Sequence, residues 1–432
     1  MIESFNNHFK KILFNFSDPP SNFVLGLSGG ADSTALLYLL KIFKTNNPDL
    51  NINVYPVIID HGLRPCSTLE AVYVKNVAIK LGFEPVIKII HDKQPTGNIQ
   101  NWARVHRRKL LHESAVYFSA NLLLAHHFDD QVETIYMRLL KGSGIDGLVG
   151  IKEVNFWNGI FIVRPLLIFK KAQLKEYISK NFINYFEDPS NKLLKYERVR
   201  TRTTLMMIKK NIWPTVDCNL NRLGVLNKKL LELINPCFMK WIEENVLIDK
   251  RGAVKINLKN LKLLFYKSNQ VSIKILGKII QMVGGKEYSP KKKKTLNLIQ
   301  AIFKINFKSK SLGNVNVYLE DNFILFIRER RNLCFNMKII KNKYYVFDGR
   351  FLLFSNISGT LVQNTKNYFD ICDQKSIFVK YKDQINNSLP IIKTLEGESV
   401  SPHLNIMKGV AFKKEIVKDG SFGLYLMNKL LV

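Results

Sequence analysis

The spacing of apolar positions changes character along the chain. Phe5, Phe9, Ile12, Leu13 and Phe16 recur at helical intervals, which predicts an amphipathic helix docking on the first domain. A signal peptide would show a compact apolar run instead. From residue 20 to about 165, short apolar runs alternate with helical segments. Residues 23–27 read as a buried strand running through a tight loop into the N-terminus of a helix, whose good helix formers run from Ala35 to Leu40. Strands follow at 54–59, 85–90 and 122–125, and helices at 68–81, 98–118 and 128–140. Repeated strand–helix units predict an α/β domain, a doubly wound parallel sheet covered on both faces, with ligands at the carboxyl ends of its strands.

Beyond residue 215 the alternation stops. Residues 227–247 read as helical, broken at Pro236. Ser289-Pro290 supplies a cap and a first-position proline for another helix. Residues 315–319 and 323–327 flank Glu320-Asp321-Asn322 as a hairpin. From 340 onward short β-branched and aromatic runs such as Tyr344-Tyr345-Val346-Phe347 dominate. The expected organisation is a catalytic domain over 1–215, a mainly helical middle domain with a hairpin over 216–335, and a small α+β domain over 340–432.

Composition narrows the partners. The 432 residues are 46% hydrophobic, enough for two or three folded domains. Lys+Arg 65 against Asp+Glu 35 gives +30, a field a small-molecule enzyme has no use for. Nucleic acid is the leading partner, ahead of an anionic membrane surface. Five scattered cysteines with no Cys-x-x-Cys argue against a zinc ribbon, an iron–sulfur site or a disulfide framework, and suit a reducing cytoplasm. No uncharged apolar run reaches membrane-spanning length, so a cytoplasmic protein without membrane partners is expected.

Candidate chemistry falls at the strand ends. In Ser28-Gly29-Gly30-Ala31-Asp32-Ser33-Thr34 both glycines are expected in backbone conformations closed to other residues, so that N–H groups converge on a phosphate at a helix N-terminus. Asp32 is repulsive there unless a cation intervenes, which marks it as a Mg²⁺ ligand. Ser-Gly-Gly alone would also suit an ordinary capped turn, and the Gly-Lys-Ser/Thr of a P-loop is missing. Asp60-His61-Gly62-Leu63-Arg64 closes the second strand. His126-His127-Phe128-Asp129-Asp130-Gln131-Val132-Glu133-Thr134 opens a helix, with Asp129, Asp130 and Glu133 crowding one face at i,i+3 and i,i+4 spacing. Acids in a first turn complement the helix dipole, yet three acids beside two histidines exceed that need. They point to a metal ion or an ammonium group, with His126 or His127 for proton transfer. A two-histidine zinc site does not fit, because neighbouring histidines at a strand end diverge.

Ser-Gly-Gly-x-Asp-Ser after a strand resembles the PP-loop of the ATP pyrophosphatase superfamily, whose fold is adenine-nucleotide α-hydrolase-like. The histidine–acid motif, Arg138-Leu139-Leu140-Lys141-Gly142-Ser143-Gly144, Gly147-Leu148 and Gly150 resemble the tRNA(Ile)-lysidine synthetase family. So do Asn101-Trp102-Ala103-Arg104, Arg164-Pro165-Leu166-Leu167 and Glu187-Asp188-Pro189-Ser190-Asn191, all in the family's order. The resemblance implies that ATP adenylates the wobble cytidine of the CAU anticodon of a minor isoleucine tRNA. Free L-lysine then displaces AMP to form lysidine. It also implies that Ser28, Gly29, Gly30, Ala31, Asp32 and Ser33 hold ATP and Mg²⁺, and that Asp130 and Glu133 bind lysine. Arg104 would meet the lysine carboxylate, and His126 would act at the reaction centre. Arg198 and Arg202 would clamp AMP phosphate or tRNA backbone, although Val199 replaces the asparagine usual between them. The domains after residue 215 would grip tRNA. A PP-loop tRNA thiolase is the alternative within the superfamily, without its usual cysteines here. A non-catalytic RNA-binding protein on the same scaffold is the alternative outside catalysis. Monomer and homodimer are both compatible with the sequence.

Overall fold

The computed structural model describes all residues except 17, 63–65, 91, 93–94, 98, 188–192, 250, 332–335, 342, 356, 365–377, 395–396, 398 and 401–432. The chain divides into two compact units, Met1–Glu232 and Leu233–Val432.

In the first unit, helix α1 (Ile2–Phe14) precedes β1 (Asn22–Gly26) and α2 (Ala31–Asn46), which lead to β2 (Asn53–Asp60) and α3 (Ser67–Lys80). The alternation continues through β3 (Val86–Ile89), α4 (Ile99–Tyr117), β4 (Asn121–Leu123) and α5 (Phe128–Leu140). The short α6 (Ile145–Leu148) leads to β5 (Val154–Trp157) and β6 (Ile160–Val163), and then to α7 (Lys171–Lys180) and α8 (Glu197–Asn211). The sheet order is β3-β2-β1-β4-β6-β5. Strands β3, β2, β1, β4 and β6 run parallel, and β5 pairs antiparallel with β6 at the edge. The turn between β5 and β6 holds Asn158 at φ 48° and Gly159 at φ 86°. Asn-Gly between apolar runs is a strong hairpin signal, and it marks an antiparallel edge that strand–helix alternation does not anticipate.

The apolar face of α1 is used as its spacing predicts. Phe5, Phe9, Ile12 and Leu13 are buried, and Phe9 meets Phe43 of α2 edge-on at 4.9 Å between ring centroids. Val24, Val57, Leu111 and Leu122 form the core on the other sheet face. Because β1 lies between β2 and β4, the strand order reverses there. The loops after β1 and β4 therefore open into one crevice at the carboxyl edge.

Helix α9 (Val216–Asn245) is continuous through Pro236, contrary to the expected break. Pro236 is exposed, so water can reach the carbonyl it leaves unbonded. The residues that follow, including Trp241 and Ile242, join the core of the second unit. That unit adds β7 (Val246–Ile248), β8 (Val254–Asn257), α10 (Leu258–Lys267), α11 (Asn269–Val283) and α12 (Lys292–Ile302). The expected hairpin appears as β10 (Val315–Glu320) and β11 (Phe323–Arg328), inside a five-stranded sheet ordered β7-β8-β11-β10-β9 with β9 at Ser309–Leu312. Helix α12 is not capped by Ser289. It begins at Lys292, and the Ser289 hydroxyl instead donates to Gln281 Oε1 at 2.7 Å. Antiparallel strands follow: β12 (Asn336–Ile339), β13 (Lys343–Phe347), β14 (Phe351–Ser355), β15 (Gly359–Gln363), β16 (Pro390–Thr394) and β17 (Ser399–Val400), with α13 (Lys382–Asn386) before β16.

Candidate active site

After β1 the chain turns through residues 27–30 into α2. The Ser28 backbone N–H donates to Ser33 Oγ at 3.2 Å, and Ser33 Oγ donates to the Gly30 carbonyl at 3.1 Å. The Ser28 and Ser33 hydroxyls lie 3.0 Å apart. These contacts fold the loop onto the first turn of its helix. Gly29 has φ +75°, and a Cβ there would stand 2.7 Å from Val74 Cγ2, so both backbone and packing require glycine. Gly30 departs from expectation. At φ −74° it is an extended N-cap any residue could adopt, with its nearest neighbour atom 3.6 Å from an added Cβ. Its small size leaves the loop face open to a ligand. Ala31 is the buried first residue of α2.

Asp32 Oδ2 lies 3.6 Å from His127 Nε2 and 3.9 Å from Lys171 Nζ. Its Oδ1 is buried without a hydrogen-bond partner. A bare carboxylate oxygen beside a phosphate loop is costly alone and suits a hard cation. Mg²⁺ is commonly held by one or two carboxylates, with waters and phosphate oxygens completing its shell. The residues present fit that ion.

His127, 1% exposed, caps α5. Its Nδ1 accepts from the Asp130 backbone N–H at 3.4 Å, and the Asp130 carboxylate accepts from the His127 N–H at 3.0 Å. Nε2 faces both Asp32 and Asp130 at 3.6 Å. Burial opposes charging this ring, but the carboxylates of Asp32, Asp130 and Asp129 outweigh it and raise the pKa. His127 thus joins the phosphate loop to the acid-bearing helix. The histidine pair marked it in the sequence, but this bridging role came only with the structure.

The three acids do not share one cation as their spacing implies. Asp129 turns away to accept from the Lys171 backbone N–H at 2.7 Å. Among the described residues no group of three His, Cys, Asp or Glu side chains can hold a metal ion. The cation facing Asp130 and Glu133 is internal. Arg198 Nε donates to Glu133 Oε2 and Arg198 Nη2 to Asp130 Oδ1, both at 2.7 Å. Arg202 Nε donates to Glu133 Oε1 at 2.8 Å. Arg198 and Arg202 therefore sit on the acids instead of standing free for phosphate. For Asp130, burial raises the pKa, while His127, Arg198 and His126 pull it below the usual carboxylate range.

His126 points the other way. Its Nδ1 accepts from Arg164 Nε at 3.3 Å, which leaves the neutral ring's proton on Nε2. Burial drives its pKa down to about 3, against the pull of Asp130 and with the push of Arg164, Arg198 and Arg107. Arg164 also donates to the Lys152 carbonyl at 2.6 Å, and burial together with Arg108 and Arg104 lowers its pKa to about 10. Arg104 is exposed on α4 at the edge of this basic group.

Two further motifs brace the crevice. Gln131 Nε2 donates to the Val149 carbonyl at 3.0 Å, and Arg138 Nη1 donates to the Gly147 and Gly150 carbonyls at 2.9 and 2.8 Å. The glycine-rich segment after α5 is thus pinned to that helix. Asp60 accepts from the Gly62 N–H, Ser67 Oγ and Thr68 Oγ1 at 2.9, 2.7 and 2.7 Å. It shapes the loop after β2. Leu63, Arg64 and residues 188–191 of the sequence motifs lie outside the described residues.

The family described as the PP-loop domain matches residues 1–208. The chain is 28% identical over 417 residues to a tRNA(Ile)-lysidine synthase of Rickettsia prowazekii, covering 94% of each. It is 29% identical to the enzyme of that name from Rickettsia akari, again over 94% of each chain. Among solved structures, the U34-tRNA thiolase NcsA from Methanococcus maripaludis is 19% identical at a TM-score of 0.44, covering 52% of this chain and 80% of that one. Among the described residues no helix is long and apolar enough to cross a membrane.

Proposed function

We propose, from the premise that this chain belongs to the tRNA(Ile)-lysidine synthetase family of PP-loop enzymes, that it joins free L-lysine to C2 of the wobble cytidine in the CAU anticodon of an isoleucine tRNA. ATP drives the reaction and leaves as AMP and pyrophosphate. The observation that carries this reading is the continuity from Asp32 through His127 to Asp130, which makes the phosphate loop and the acid helix one site.

The residues divide the work as follows. Ser28, Gly29, Gly30 and Ser33 form the phosphate cradle, with Asp32 as the ligand of Mg²⁺. That ion, when bound, offsets the charge of the ATP phosphates. Adenylation of the cytidine C2 oxygen turns a poor leaving group into AMP. Asp130 and Glu133 receive the lysine ammonium in place of the Arg198 guanidinium, which the charge pattern makes its internal equivalent. The released Arg198, with Arg164 and Arg104 nearby, is then available to anionic groups of the substrates. His126 stays neutral at physiological pH, and its Nε2–H donates a hydrogen bond at the reaction centre. With a pKa of about 3 it is poorly matched to removing an ammonium proton, so that proton passes to the Asp130 or Glu133 carboxylate. The freed amine then bonds to C2 as the C2–O bond breaks, and AMP leaves with that oxygen.

The test is incubation with ATP, Mg²⁺, labelled lysine and a CAU-anticodon isoleucine tRNA transcript. Acid-stable label in the RNA is expected, absent with Asp32→Ala and with a changed wobble base. RNA-dependent AMP release without label would point to another nucleophile. RNA binding without AMP release would leave only a binding protein.

A further inference from the structure

In the second unit a cavity of about 240 Å³ opens where α11, α12 and β9 meet. Its apolar side is formed by Ile280, Pro290 and Leu312, and its rim by Lys286, Lys291 and Lys294, with Tyr288 standing 71% exposed beside them. Gly313 keeps the space open. It has φ +62°, and a Cβ there would stand 2.9 Å from Ile280 Cγ2 and 3.4 Å from Pro290 Cγ. The wall is held in place, since Gln281 Nε2 donates to the Glu287 carbonyl and Ser289 Oγ to Gln281 Oε1, each at 2.7 Å.

The charge is as distinctive as the shape. Residues 281–313 contain eight lysines and a single acid, Glu287. Among the described residues no carboxylate forms an ion pair with Lys286, Lys291 or Lys294. The run of four lysines is also divided by the helix. Lys291 and Lys294, three apart, line the cavity, while Lys292 and Lys293 do not.

We infer that this cavity takes one unpaired nucleotide of the bound RNA, with its base against Tyr288 and Pro290 and its phosphate between Lys291 and Lys294. An apolar slot with an aromatic edge and an unneutralised cationic rim matches a flat base joined to an anion. The inference rests on the RNA substrate proposed above and adds a second contact, made by the second unit.

The experiment measures equilibrium binding of the full chain to the CAU-anticodon tRNA transcript across salt concentrations, without ATP or lysine. Lys291→Ala/Lys294→Ala is compared with Lys292→Ala/Lys293→Ala, which removes the same charge. The first pair is expected to weaken binding about tenfold and to reduce the salt slope by about 1, as one phosphate contact is lost, and the second to do much less. Tyr288→Ala is expected to weaken binding about tenfold while leaving the salt slope unchanged. Equal losses from the two lysine pairs would overturn the inference in favour of a diffuse field. Unchanged binding by Tyr288→Ala would remove the base from the cavity. Circular dichroism of each variant separates misfolding from lost contact. Wild-type protein that fails to bind the transcript would instead refute the RNA substrate itself.

Discussion

Replacing Glu133 by Gln tests the central charge arrangement with almost no change of shape. Glu133 is 2% exposed, and its two oxygens accept from Arg198 and Arg202 at 2.7 and 2.8 Å. The amide keeps one acceptor oxygen and turns an NH₂ group toward the other guanidinium. Removing one partner of a buried ion pair costs about 3–5 kcal/mol. Here the arginine side chains are 39% and 28% exposed, so water can reach the stranded cations and the cost falls to about 2 kcal/mol. For a unit of this size that is a drop of roughly 4–8 °C in Tm. Thermal unfolding by circular dichroism measures it, and a cycle with Arg202→Gln isolates the pair, with a coupling of about 1 kcal/mol expected. If lysine displaces Arg198 as proposed, the same variant should bind it far more weakly in calorimetry, because the acid that would receive the ammonium has lost its charge. A Glu133→Gln protein as stable as wild type, with no coupling to Arg202, would refute the internal-cation assignment.

The other perturbations are sharper and smaller. His126, with a pKa of about 3, is expected to show no imidazole titration by NMR between about pH 8 and 5. Since its folded pKa lies below the unfolded value, its neutral form stabilises the fold above about pH 6.5, and that contribution shrinks as pH falls. Asp60 is lowered as well: burial alone would raise its pKa, but bonds from Thr68, Gly62 and Ser67 prevail. Its contribution is therefore full above about pH 4 and lost as pH falls through the folded value, so Asp60→Asn should flatten the acid limb of the stability profile. Gly29→Ala should raise the KM for ATP at least tenfold, because the added methyl meets Val74 in a left-handed backbone. Gly150→Ala, whose Cβ would clash with Gln131 at φ +79°, should cost about 2 kcal/mol in denaturant unfolding.

Much of the first unit was legible because its signals are local. The residues of α5, Phe128–Leu140, coincide with the helix expected from its capping and periodicity. The apolar face of α1 and the β10–β11 hairpin follow from spacing and turn residues alone. Asn158-Gly159 was equally local, and its hairpin was readable from the same rules. Pro236 misleads for a different reason. A proline's effect on a helix depends on whether its face is wet and on what the following turns bury, and neither is encoded beside it.

The strand–loop–helix motif after β1, the parallel αβ order, the acids clustered on α5 and the excess of positive charge are all legible in local pattern and composition. Which cation faces those acids depends on how distant segments pack. Val132 and Ile135 of α5 pack with Leu205 of α8 and Leu220 of α9, and this contact brings Arg198 and Arg202 onto acids 65 to 69 residues away. The same folding turns His127 toward Asp32 and His126 toward Arg164. Periodicity records which face of a helix is buried, because burial repeats with the backbone. Charge pairing between distant segments has no such period and is set by the packing of apolar faces, so it becomes visible only in three dimensions.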